Sequence, residues 1–258
     1  MKYFVVDAFA EKVFGGNPAG VCVLEKAIAP ELMQSIAKEN NLSETAFVYP
    51  EEDHYCLRWF TPADEIDLCG HATLGTAYVI SNFVEKDAKI MHFHTKSGVL
   101  TVERKGDLFE MDFPSRMPEK IDAVENVADV IGIKPVETHL SRDLIVVLES
   151  EKDVKNVQPD FAKMEQLDMG LCVVVTAKGE KEDFVSRCFA PKLGVNEDPV
   201  TGSTHSTLIP FWAERLQKQN MVARQLSQRG GVLYCENAGE RVKVSGKAVL
   251  YMVGELEV

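Results

Sequence analysis

Positive charge is in short supply in this sequence: 28 Lys and Arg stand against 40 Asp and Glu, a formal net charge of −12. That balance argues against the basic patches by which nucleic acid or an anionic membrane is bound, so neither is expected as a partner. A small anionic substrate stays open, because a helix start can hold one locally. No apolar run reaches the roughly 18 residues of a spanning helix. The chain passes from Met1 straight into strand-like Tyr3-Phe4-Val5-Val6, without the apolar segment of a secretion signal. The cysteines at 22, 56, 69, 172, 188 and 235 form no C-x-x-C pair. In a chain of this size that reads as reduced, mostly buried thiols in a cytoplasmic protein. Neither G-x-G-x-x-G nor a Walker loop occurs, so no nucleotide cofactor is indicated. Low-complexity tracts are missing too.

What is present is enough for a large core: 258 residues with 45% apolar content, ordinary for one large or two small globular domains. The chain is organised around Arg58 to Ile80. A strand over Tyr55–Phe60 breaks at Thr61-Pro62, and no charge follows between Asp67 and Glu85. Small and apolar residues over 72–80 predict a helix apolar on every side, which belongs inside protein. Its first amides lack intrahelical partners and its dipole favours an anion, while Gly70 lets a ligand approach.

The same design recurs. Arg58-Trp59-Phe60-Thr61-Pro62 is echoed by Arg187-Cys188-Phe189-Ala190-Pro191, and Cys69-Gly70-His71 by Thr201-Gly202-Ser203 with an uncharged run over 203–213. Ser97-Gly98-Val99-Leu100 is echoed by Gly230-Gly231-Val232-Leu233. Three matches in order at nearly constant spacing predict two diverged copies of one unit. The boundary is placed within Pro114–Pro118, giving domains 1–117 and 118–258, with the last strand free to return to the first domain. Each copy is β-rich around an apolar helix, which predicts an α+β architecture.

Several side chains carry possible chemistry. Glu44 opens the apolar strand of Glu44–Tyr49. It is either a solvent-facing strand end or a partly desolvated acid–base group with a raised pKa. Asp198 precedes the second helix, as a cap or turn former or as a carboxylate facing the helix mouth. His71 is a relay group or a structurally satisfied ring, and His205, one turn into the second helix, reads as packing. His92 and His94 share a strand face, but no Asp, Glu or Cys is seen to converge on them, and no metal site is expected. Cys69, at a helix start, is expected to have a lowered pKa. A two-base racemase would need a second thiol, and the repeat holds Thr201 there. A Cys69–His71 hydrolase is disfavoured, since neighbours two apart at a helix start should diverge.

Asn17-Pro18-Ala19-Gly20, Leu42-Ser43-Glu44-Thr45-Ala46-Phe47, Leu68-Cys69-Gly70-His71-Ala72-Thr73, Glu197-Asp198-Pro199-Val200-Thr201-Gly202-Ser203 and Gln228-Arg229-Gly230-Gly231 together resemble the PhzF-type phenazine-biosynthesis-like isomerases. The match spans essentially the whole chain, in order. The resemblance implies the diaminopimelate-epimerase-like fold, duplicated, with two β-barrel-like domains each around a central helix and an active site in the cleft between them. It implies a cofactor-independent isomerase in which Glu44 is the single acid–base group that moves a proton within a small carboxylate. His71 and Asp198 are implied as further catalytic positions, and Asn17, Ser43, Gly70, Gly202 and Ser203 as substrate-binding ones, without cofactor or metal. Ser-Thr-His-Ser after Gly202 is closer to the broad branch of the family than to the phenazine enzyme, so the chemistry transfers better than the substrate. The alternatives are a racemase or epimerase using Cys69, and a non-catalytic member that binds a metabolite or partner. A homodimer is the default expectation for such an enzyme.

Overall fold

The computed structural model, which describes residues 1–52, 54–86 and 88–258, is α+β. It divides into two units, Met1–Asp112 with Ser245–Val258, and Phe113–Val244. The change of unit thus falls at Asp112–Phe113, and the last residues return to the first unit.

In the first unit, β1 (Lys2–Ala8) is antiparallel to β2 (Asn17–Val23) on one side and to the final strand, Ala248–Glu255, on the other. The helix α1 (Pro30–Asn40) crosses to β3 (Glu44–Glu51), which is parallel to β2 and antiparallel to β4 (His54–Phe60). Pro30 is preset for a first turn, Glu31 and Lys38 suit the dipole, and Asn41 closes the helix in the left-handed region at φ 51°. Short β5 (Glu65–Ile66) lies on β4 and leads into α2 (Gly70–Val79), continued by a π segment, Ile80–Val84. Then β6 (Ile90–Thr95) runs parallel to β4, followed by antiparallel β7 (Gly98–Lys105) and β8 (Leu108–Pro114).

Strand alternation sorts the side chains of β1. Tyr3 and Val5 join Met33, Ile36 and Ala37 of α1 in one cluster with Phe47 and Phe60. Val6, on the opposite face, meets α2 at Gly75, where Ala19 of β2 also lies. Helix α2 is therefore buried along nearly its whole length. Its hydroxyls are satisfied inside the helix, Thr73 Oγ1 donating to Cys69 O at 2.6 Å and Thr76 Oγ1 to Ala72 O at 2.7 Å.

The second unit contains β9 (Glu119–Ile121), α3 (Val124–Ile131), β10 (Glu137–Leu140), β11 (Leu144–Val147), α4 (Glu151–Asn156), α5 (Phe161–Glu165), β12 (Val173–Lys178), β13 (Phe184–Ala190), β14 (Val195–Asp198), α6 (His205–Leu216), β15 (Asn220–Gln225) and β16 (Gly231–Ala238), and β17 (Arg241–Gly246) leads from it back into the first unit and β18 (Ala248–Glu255). Its pairings β11–β12 parallel, β12–β13 and β13–β14 antiparallel, β13–β15 parallel and β15–β16 antiparallel follow the series of β2–β3, β3–β4, β4–β5, β4–β6 and β6–β7. Val127, Val130, Ile131, Val154 and Met164 from α3, α4 and α5 cover Val146, Val173 and Val175. On the other side Trp212 of α6 donates to Thr176 Oγ1 at 3.0 Å and stacks on Phe184.

Helix α6 starts later than the sequence pattern suggests. The chain over 202–207 makes tight i−3 turns, His205 N to Gly202 O and Ser206 N to Ser203 O, before α-helix is established. His205 is consequently the first helical residue and not one turn inside. Pro210 sits within the helix and cannot donate to Ser206 O. That carbonyl instead accepts from Arg116 N at 2.9 Å, so the buried acceptor stays satisfied. Among the described residues no helix is long and apolar enough to cross a membrane.

Candidate active site

Three elements of the first unit converge. Asn17 opens β2, Glu44 opens β3, Cys69 is the N-cap of α2, and His71 lies in its first turn. His71 Nε2 is 3.0 Å from Glu44 Oε2, with side-chain exposures of 7% and 16%. Among the described residues neither atom is hydrogen-bonded to anything else. On the other edge of the ring, Asn17 Nδ2 is 3.1 Å from Nδ1, and Cys69 Sγ is 3.5 Å from the same nitrogen. Asn17 and Cys69 thus share the Nδ1 edge of the ring, and Nε2 faces the carboxylate. Gly70 is the buried first residue of α2, and Ser43 hydrogen-bonds the Glu44 carboxylate.

Three expectations are corrected here. Burial pushes the Glu44 carboxyl up, but the charge of His71 and hydrogen bonds from His71 and Ser43 outweigh it, and its pKa is lowered, not raised. Burial pushes the Cys69 thiol up and the negative charge of Glu44 adds to this, so its pKa is raised despite the helix start. The side chains of Cys69 and His71 do not diverge. Cys69 keeps extended backbone (φ −143°, ψ 109°), outside the helical region, and its Sγ turns back to the ring. His71 itself is pulled down by burial and up by the charges of Cys69 and Glu44, and the upward pull wins. Cys69 is a thiol near neutral pH, so Glu44 is the charge that acts there.

Asp198, Gly202 and Ser203 lie in the second unit. Asp198 ends β14, and its Oδ2 accepts from Thr201 Oγ1 at 2.5 Å. Gln225 of β15 ties the segment down, accepting from Thr201 N at 2.9 Å and donating to Asp198 O at 2.8 Å. Gly202 is buried in the turn that follows. Ser203 Oγ accepts from Arg142 at 3.1 Å, and Arg142 also grips buried Asp143. Thr201, which the sequence pattern sets against Cys69, thus carries a hydroxyl bound to a carboxylate. Sequence reading missed Gln225 and Arg142; Ser-Arg-Asp looks like an ordinary turn, and neither residue falls in a motif. His205 Nδ1 faces Thr201 O at 2.8 Å, and burial lowers its pKa to about 4, leaving a neutral structural ring.

The donor atoms of Glu44, Cys69 and His71 lie within 4.8 Å of one another, a grouping that can bind a proton or a metal ion. A neighbouring carboxylate and imidazole sharing a proton can act as an acid–base pair on a C–H bond.

The sequence model of the phenazine biosynthesis-like protein family matches residues 6–254. The chain belongs to that family. An uncharacterized isomerase of Pseudomonas aeruginosa is 48% identical over 260 residues, covering 100% of this chain and 99% of the relative. A crystal structure of a PhzF family phenazine biosynthesis protein from Enterococcus faecalis superposes with a TM-score of 0.98 at 49% identity, covering 100% of this chain and 99% of that one. This PhzF-family chain is an isomerase by that kinship. Likeness in fold alone extends to a probable proline racemase of Agrobacterium radiobacter, with a TM-score of 0.65 at 9% identity, covering 100% of this chain and 93% of that one.

Proposed function

We propose that this isomerase moves a proton within a small carboxylate substrate, without a cofactor, using Glu44 as the single acid–base group. The observation that carries the reading is the buried Glu44–His71 contact at 3.0 Å, with His71 held from behind by Asn17. A lowered pKa keeps Glu44 ionised near neutral pH, so it begins the cycle as the base. It withdraws a proton from one carbon and returns it to another on the same face. His71 stays hydrogen-bonded to the carboxylate and takes up or releases the shared proton as the charge on Glu44 changes. Ser43, Asn17 and the Gly70 backbone at the start of α2 bind and orient the substrate, while in the second unit Gly202 and Ser203 form an anion-receptive turn beside the Arg142 cation. Asp198 keeps Thr201 and that turn in place. The matched series of strand pairings supports reading the two units as diverged copies, each wrapped around its helix. The chain is expected to work in the cytoplasm, as a homodimer.

Cys69 Sγ against His71 Nδ1 favours one rival, an epimerase in which the thiol is a base. Its raised pKa and the hydroxyl at Thr201 speak for the single-base reading. Proton exchange in deuterated water, followed by NMR over a panel of small amino and unsaturated carboxylates, separates the two. Exchange supported by the wild type should fall at least about 100-fold in Glu44→Gln, the scale of general acid–base catalysis. Cys69→Ala should keep most of it. Loss in Cys69→Ala with retention in Glu44→Gln would make the thiol the base and end the single-glutamate mechanism.

A further inference from the structure

A second convergent cluster lies at the tip of the β3–β4 hairpin and takes no part in the reaction above. Glu51 and His54 face each other across the turn, and Cys56 follows two residues on, on the same face of β4. Cys56 Sγ donates to Glu51 Oε2 at 3.2 Å and is 3.9 Å from His54 Nε2, and that nitrogen is 3.8 Å from Glu51 Oε2. The three donor atoms therefore form a small triangle. Tetrahedral zinc, bound at about 2.3 Å by sulfur and about 2.0–2.2 Å by nitrogen and oxygen, would hold such atoms about 3.4–3.6 Å apart. His94 of β6 stands beside them, in register with Cys56, with its ring stacked on His54 at 3.7 Å. The strand histidine pair His92 and His94, for which no convergent ligand was expected, thus has one member next to a Glu, a His and a Cys.

We propose that Glu51, His54 and Cys56 form a zinc site, with the fourth position open to His94 or water. Thiolate, imidazole and carboxylate together suit zinc and not the oxygen-seeking magnesium or calcium. Half-exposed Glu51 (54% of its side chain) and shielded His54 (18%) give the ion an approach from solvent and an anchored ligand. The thiol of Cys56 now gives its hydrogen to Glu51. Metal binding replaces that hydrogen, so a sulfur–metal bond forms as an S–H bond breaks and the proton passes to solvent.

Cobalt(II) is the probe, titrated into the reduced, chelator-stripped full chain with near-ultraviolet absorption as the readout. One equivalent should produce a thiolate-to-cobalt charge-transfer band, and one equivalent of zinc should displace it. The band should vanish in Cys56→Ser, need at least about tenfold more metal in His54→Ala, and persist in Cys69→Ser, which removes the thiol of the other cluster. Circular dichroism verifies that each variant is folded. No band in the wild type, or one that survives Cys56→Ser, overturns the site.

Discussion

At the scale of single residues, the Glu44–His71 contact makes the first unit's stability depend on pH in a defined direction. The folded pKa of Glu44 is lowered, so its contribution is complete above the unfolded value of about 4.3 and is lost as pH falls through the folded value. The folded pKa of His71 is raised, so its contribution is complete below the unfolded value of about 6.5 and is lost as pH rises through the folded one. Between about pH 4.3 and 6.5 both are fully present. Urea unfolding of wild type and Glu44→Gln across this range should show the stability advantage of the wild type greatest inside that window and shrinking on both sides. A difference that does not vary with pH would mean the two groups are not ionically coupled. Burial is the main reason why reading Cys69 from its helix position alone gave the wrong direction, and the carboxylate of Glu44, brought in on β3, adds to it.

At the scale of elements, helix α2 combines close approach with poor helix propensity. Glycine in a helix costs about 1 kcal/mol relative to alanine. A Cβ at Gly75 would meet Val6 and Ala19 at 3.6–3.8 Å, ordinary contact distances. Gly75→Ala is therefore expected to leave the fold intact and raise unfolding stability by up to about 1 kcal/mol in urea titration. Gly246 is the opposite case, because a Cβ there would lie 2.3 Å from Phe9 Cδ1, a ring with almost no exposure. Gly246→Ala should destabilise by about 1–3 kcal/mol, the range for an overpacked core. Stabilisation by Gly246→Ala, or marked loss in Gly75→Ala, would show that packing around α2 is not as described. Helix α2 was legible in the sequence because an uncharged run of that length can only be buried. Glu44, His71 and Asn17 were legible as motif residues, but their convergence was not, since three separate elements bring them together. The start of α6 was misread because its turn is fixed by Gln225, on a strand far along the chain.

At the scale of the whole molecule, the first unit is discontinuous, and this sets how the chain responds to loss of its end. β18 pairs with β1 over the whole of Lys2–Ala8, and β1 in turn carries the residues that touch both α1 and α2. Removing residues 248–258 turns β1 into an edge strand with unpaired backbone groups and uncovers apolar side chains beside the site. The second unit has its own buried cluster from Ala123 to Phe189, built without any residue of β18. Hydrogen exchange read by mass spectrometry on the truncated chain should therefore lose protection first in peptides covering 2–8 and 17–23. Protection in 173–178 and 184–190 should persist, because local stability follows local burial and pairing. Proton exchange on any substrate the wild type accepts should fall with the first group of peptides, since Asn17 and Glu44 sit on the strands that β1 supports. Equal loss of protection in both groups would mean that the two units fold as one cooperative body, and the placement of the acid–base pair would then depend on the whole chain and not on the first unit.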